Sequence, residues 1–178
     1  MRYSILCIAC LAAASVLAEE PVRHKPDRFY PGAEIQDVYR VRLDRGDLLL
    51  ESIMELIEQY NIQDGAVLTA AGSLQECTYH GVVTLADKPQ QKFTTVREAM
   101  EILNINGIIA EGEPHLHMTL STPKGAFGGH LEKGCKVLYR AELTIAKFKG
   151  TPLTRKPNAQ GVPVLRGKYP TGARGEQR

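Results

Sequence analysis

The sequence predicts an α+β domain: a central antiparallel or mixed β-sheet with one main helix packed on it. Only residues 48–60 carry apolar side chains at helical spacing over several turns. Elsewhere, apolar or alternating runs of strand length are separated by short turns rich in glycine and proline. Strands and helices do not alternate regularly, so a parallel, doubly wound sheet is disfavoured.

The first 18 residues have the composition of a secretory signal peptide. Arg2 gives a positive start, residues 5–17 are uncharged and apolar, and Val16–Ala18 fits the small-residue pattern before a cleavage site. The apolar run is shorter than the roughly 20 residues that a membrane-spanning helix needs. We therefore expect an exported protein, periplasmic or secreted, with no transmembrane segment after signal removal. Residues 19–37 are expected to form an extended lead-in.

The predicted domain covers residues 38–166 and begins with an alternating strand at 38–43. The turn at residues 45–47 then leads into the helix. Further strands are predicted over residues 66–71, 77–85, 98–110, 115–122 and 137–148. Segment 98–110 also fits a helix, but its β-branched residues and Gly107 favour a strand.

The last part of the chain is rich in proline and glycine and differs in charge from the rest. Residues after Gly150 are expected to be mostly irregular, with 167–178 a basic flexible tail. Residues 147–178 hold eight Lys or Arg and one acidic residue, whereas residues 19–146 hold 13 basic and 19 acidic residues. A basic tail can bind nucleic acid. For an exported protein we favour a solvated tail that lies along its own acidic body or a neighbouring subunit.

Two cysteines, Cys77 and Cys135, fall in the predicted domain. In an exported protein they could pair as a disulfide. Both lie in apolar stretches, so buried free thiols are an equal alternative. The sequence leaves the two open.

Histidines give the strongest indication of a functional site. His115 and His117 are two apart on a predicted strand, so their side chains share a face. His130 follows Gly128–Gly129, and two glycines let the backbone approach closely and aim the imidazole. Three imidazoles are a common ligand set for zinc, and other divalent first-row metals accept them too. The alternative is a group of structural or half-buried histidines.

Two carboxylates, Glu111 and Glu113, precede these histidines with the same parity. They are candidates for metal ligands, ligand partners or a general base. Pro114 interrupts the strand, so both could equally be solvated loop residues. His80, in another predicted strand, is expected to be a hydrogen-bonded sheet histidine.

Several motifs, in order along the chain, resemble the PPC domain, the plant- and prokaryote-conserved domain. They are Val67-Leu-Thr-Ala-Ala-Gly-Ser-Leu74, Glu101-Ile-Leu-Asn-Ile-Asn-Gly107, Pro114-His-Leu-His-Met-Thr-Leu120, Gly128-Gly-His-Leu131 and Gly134-Cys-Lys-Val137. The resemblance implies a central antiparallel sheet, a homotrimer, and a metal site at the matching His115, His117 and His130. It also favours the strand interpretation of residues 100–110.

The PPC domain is often described as DNA-binding, and in plant nuclear proteins it accompanies AT-hook motifs. This chain has no Arg-Gly-Arg flanked by proline, and its body is acidic, which opposes phosphate contact. We therefore expect first a homotrimer that binds zinc or a related metal, with binding of a small molecule or metal-dependent chemistry as an extension. A non-enzymatic scaffold trimer is the second hypothesis, and nucleic-acid binding the third.

Overall fold

The described part of the chain is mainly β-structure. A computed structural model describes residues 30, 32–150 and 152–167. Its elements are β1 (Glu34–Asp44), α1 (Leu49–Gln59), β2 (Asp64–Val82), β3 (Gln91–Val96), β4 (Met100–Ala110), β5 (Glu113–Thr122), β6 (Gly125–Leu131), β7 (Lys136–Lys149), β8 (Leu153–Pro157) and β9 (Pro163–Gly167). The predicted signal peptide, most of the lead-in and residues 168–178 lie outside the described residues.

The α+β prediction is wrong. Strands hold 65% of the described residues and the single helix among them holds 8%. The prediction failed because four segments whose sequences lack a strong strand pattern are nevertheless strands, held by hydrogen bonds to neighbouring strands. Two of them are β3 and the glycine-rich β6. The other two are β8 and β9, which pair from Leu153↔Gly167 to Pro157↔Pro163 in the segment predicted to be irregular.

All strand pairings in the main sheet are antiparallel, in the order β1-β7-β2-β4-β5-β6, with β3 beside β2. The long strand β2 explains the topology. Its first part pairs with β7 and β4, and its last part pairs with β3 and β6. Because β6 reaches β2 again, the path from β2 through β4, β5 and β6 closes on itself. This closure brings the end of β2 beside β6.

The core is aliphatic and lies under the inward faces of these strands. Helix α1 confirms the predicted helix at 48–60, and it buries Leu49, Ile53 and Ile57 in that core. Ile105 and Ile145 contribute from β4 and β7 and are fully buried. Each such side chain contributes about 1.5–3 kcal/mol relative to exposure. Among the described residues, no helix is long and apolar enough to cross a membrane.

Candidate metal centre

Strand β5 presents two histidines on its outward face. His115 and His117 are exposed, whereas Leu116 and Met118 between and after them are buried in the core. Side chains alternate along a strand, so core packing of the two apolar residues fixes the two imidazoles outside. The predicted shared face of His115 and His117 is thereby confirmed.

His130 reaches the same surface from the neighbouring strand. It lies directly opposite His117 in the β5–β6 register. The two preceding glycines are required by packing: a Cβ on Gly128 would overlap the carbonyl oxygen of Met118, and one on Gly129 would lie 2.5 Å from the carbonyl oxygen of His80. The close approach predicted for these glycines is confirmed, and it occurs within strand β6.

The three predicted histidines come together. The Nε2 atoms of His115 and His117 are 3.3 Å apart. The ring centroid of His130 is 5.0 Å from that of His115 and 5.5 Å from that of His117. One nitrogen from each ring lies within 4.8 Å of the others. Two imidazoles on a tetrahedral zinc, with Zn–N of about 2.0–2.1 Å, have nitrogens about 3.3 Å apart. The donor set therefore fits a first-row metal.

A second group, which sequence reasoning missed, adjoins the first. His80 on β2 lies opposite His130, and the two rings stack with centroids 4.4 Å apart. His80 Nδ1 is 2.6 Å from Glu132 Oε1, so a ring N–H donates to the carboxylate. His80, His130 and Glu132 form a second set of donors within 4.8 Å of one another. The expected hydrogen bond of His80 is confirmed. His80 and His130 are 50 residues apart in the sequence, and only the pairing of β2 with β6 places them opposite each other.

Two imidazoles of the cluster, those of His115 and His130, favour the neutral form. Burial, assisted by the neighbouring His80 and His115, lowers the pKa of His130 to about 4. Burial also lowers the pKa of His115, with a smaller contribution from the charge of Arg155. Neutral imidazole is the form that binds a metal.

The two carboxylate candidates have different positions. Glu113 is exposed on β5 and lies on the same outward face of the strand as His115. Glu111 lies in the turn before β5 with φ of 55°, and its carboxylate accepts a hydrogen bond from Thr154 Oγ1. The shared parity therefore holds for Glu113 and ends at the turn for Glu111.

Two clefts flank the histidines. One, of about 270 Å³, is lined by Glu113, His130 and Glu132 among others. The other, of about 390 Å³, includes His115 and His117 in its wall. Imidazoles therefore border open space on both sides, where a ligand could reach them.

Cys77 and Cys135 are both free and fully buried. The Cys135 thiol accepts the Thr78 N–H at 3.2 Å and lies 3.2 Å from the Thr78 carbonyl oxygen. Of the two alternatives for this pair, the structure contains the buried thiols.

One protein-family model matches most of the described residues. The model for the Plants and Prokaryotes Conserved (PCC) domain matches residues 30–149. A bifunctional protein GlmU from Synechococcus sp. (strain JA-2-3B'a(2-13)) is 32% identical over 135 residues, 75% of this chain and 20% of its own length. The chain thus spans about a fifth of the curated relatives that it matches.

Solved structures share the fold. A metal-containing protein from Archaeoglobus fulgidus is similar with a TM-score of 0.66 and 22% identity, over 78% of this chain and 97% of that one. A plant- and prokaryote-conserved (PPC) protein from Pyrococcus horikoshii gives 0.66 and 23%, over 78% and 96%. A candidate DNA-binding protein from Bacteroides thetaiotaomicron gives 0.67 and 21%, over 79% and 98%.

Proposed function

This chain belongs to the Plants and Prokaryotes Conserved domain family, and we propose that it binds a divalent first-row metal, zinc foremost, on His115, His117 and His130. The observation that carries the proposal is the 3.3 Å separation of the His115 and His117 Nε2 atoms, with a His130 nitrogen in reach. Two metal-free neutral imidazoles at that distance can form one hydrogen bond at most, whereas a shared cation engages both lone pairs.

Three protein ligands leave one coordination position for water or a ligand. Zinc in such a site acts as a Lewis acid and lowers the pKa of a bound water. The chain's own contribution would be to orient the three imidazoles and to keep those of His115 and His130 neutral. Glu113, which lines a cleft with His130, is the carboxylate placed to accept a proton there. Glu111 is held by Thr154 and has a structural role in this proposal.

Metal analysis of the purified protein tests the proposal. The wild-type chain should carry close to one zinc per chain after dialysis against trace zinc, and His117→Ala should carry very little. Thr119→Ala is the matched control, because Thr119 is exposed on the same face of β5. Equal and negligible metal in all three proteins would contradict the assignment.

A protein from Archaeoglobus fulgidus with the same fold and 22% identity is metal-containing, which supports a metal site in this fold. The DNA-binding description of the Bacteroides thetaiotaomicron protein comes from a chain 21% identical. For this chain the acidic excess over residues 19–146 disfavours phosphate contact, so nucleic-acid binding ranks below metal binding.

We further propose that the chain is exported and assembles as a homotrimer. Ile35 and Val38 are exposed apolar side chains near one end of the edge strand β1, where a second copy could cover them. Light scattering of the purified protein should give three times the chain mass. N-terminal sequencing of exported material should begin at Glu19. A monomer contradicts the assembly, and an intact Met1 in the cytoplasm contradicts the export.

A further inference from the structure

The larger cleft beside the histidines has two walls of different origin. The wall from β4 and β5 carries the histidines, and the other comes from the β8–β9 hairpin. Its volume is about 390 Å³, within the range of small-molecule sites. Its lining includes Asn106, Ile108, His115, Arg155, Pro163 and Leu165.

The hairpin is fastened over this part of the sheet by specific hydrogen bonds. Arg155 donates from Nη1 to the Glu113 carbonyl and from Nη2 to the Ile108 carbonyl, each at 2.8 Å. The Tyr30 hydroxyl donates to the Leu165 carbonyl at 3.0 Å. The hairpin, residues 153–167, lies beyond residues 30–149 that match the family model. This wall of the cleft therefore lies outside the stretch that the family model matches.

The hairpin contributes one cationic side chain, Arg155, to the lining of the cleft. Its guanidinium donates two hydrogen bonds, both to neutral carbonyls. A guanidinium carries more N–H donors than these two bonds use, and it stays charged in proteins. No carboxylate side chain lines the cleft. The charge of Glu113 acts on Arg155, but Glu113 does not line this cleft, so a negatively charged ligand bound there would lie beside the guanidinium.

Much of the remaining lining is apolar, from Ile108, Pro163 and Leu165. We propose that this cleft binds a small carboxylic acid with an apolar body. The carboxylate is directed to Arg155 and to the cation on the histidines, and the body packs against the hairpin. The role of the cation rests on the proposed metal site, whereas the role of Arg155 does not. A carboxylate can pair with one guanidinium through two parallel N–H···O bonds, and its single negative charge matches that of one arginine.

Benzoate, with benzyl alcohol as its neutral counterpart, tests the proposal by titration calorimetry on the full chain, zinc-loaded and chelator-treated. Benzoate should bind saturably, and benzyl alcohol about tenfold more weakly or not at all. Arg155→Gln should weaken benzoate binding by about tenfold or more, since hydrogen bonds to charged groups are the strong ones. Arg166→Gln is the matched control, because Arg166 is an exposed arginine on the same hairpin and does not line the cleft.

A second variant guards against loss of the hairpin in Arg155→Gln. Leu165→Asp keeps both arginine bonds and places a carboxylate in the cleft wall, so it should also abolish benzoate binding. Benzoate binding that is absent from the wild type, or unchanged in both variants, overturns the proposal. Zinc content measured on the zinc-loaded samples separates the two hypotheses. Arg155-dependent binding by a wild-type protein that takes up no zinc on loading supports the cleft and contradicts the metal site, whereas zinc uptake without benzoate binding supports the metal site and overturns the cleft.

Discussion

His80 stacks on His130, with ring centroids 4.4 Å apart and an interplanar angle of 24°. The contact joins the last part of β2 to β6 and places a histidine held by Glu132 against one of the three proposed ligands. His130 therefore belongs to two groups of metal donors, one with His115 and His117 and one with His80 and Glu132. A metal bound in one group would respond to different substitutions than a metal bound in the other.

Zinc stoichiometry distinguishes these groups. We expect His115→Ala to lose the metal, because it removes one of three converging nitrogens. Glu132→Gln should keep full stoichiometry, because its carboxylate is engaged by His80. Elemental analysis of dialysed protein is the measurement. The reverse result, with metal lost only in Glu132→Gln, would move the site to His80, His130 and Glu132.

Acid should destabilise the metal-free protein through His130. Its pKa is about 4 in the folded chain and about 6.5 when unfolded, so the unfolded state binds more protons between these values. The stabilisation is complete above pH 6.5 and is lost as the pH falls towards 4. Thermal melts with a chelator should show a smaller loss over this window for His130→Asn than for wild type. Parallel pH curves for the two proteins would argue against it.

Gly107→Ala should destabilise the domain strongly. Gly107 has φ of 153°, and a Cβ there would overlap the carbonyl oxygen of His115. Strain of this kind costs at least about 2 kcal/mol, which corresponds to a fall in Tm of roughly 5 °C. Gly81→Ala is the control, because nothing lies within 4 Å of its Cβ position. Similar melting temperatures for both variants would refute the packing argument.

Neither Cys77 nor Cys135 should react with iodoacetamide in the native state. Both are fully buried, and the hydrogen bond with Cys135, together with burial, raises the pKa of the Cys77 thiol. A protonated, inaccessible thiol is a poor nucleophile. Peptide mass mapping should find both cysteines alkylated after guanidinium without reductant. If alkylation required reductant, a disulfide would be present and the free thiols assigned to this pair would be incorrect.

Local sequence patterns predicted the elements that carry strong periodicity. Helix α1 follows from the spacing of Leu49 and Ile53, and β5 follows from the alternation around Leu116. The histidine group was predictable because two of its members share one strand and the third follows paired glycines. These are properties of neighbouring residues, which a sequence displays directly.

Long-range register was not predictable, and it accounts for what was missed. His80 meets His130 only because β6 pairs with the last part of β2. Glu132 had a weak signal, since it lies two residues after His130. Strands β8 and β9 contain prolines at Pro157 and Pro163, which read as breaks, but these occupy the turn end of the hairpin, where the loss of an N–H is tolerated.

The hairpin follows Gly150 and places Leu165 in the cleft beside the histidines. Three hydrogen bonds, from Tyr30 and Arg155, join the hairpin to the rest of the domain. The two strands of the hairpin pair only with each other, so residues 153–167 are the part of the cleft that can vary without changing a strand pairing of the main sheet. A library that varies only the cleft-lining positions of this segment would alter the size and charge of the cleft without changing the histidines. Ligand preference and the histidine group could in this way be changed separately.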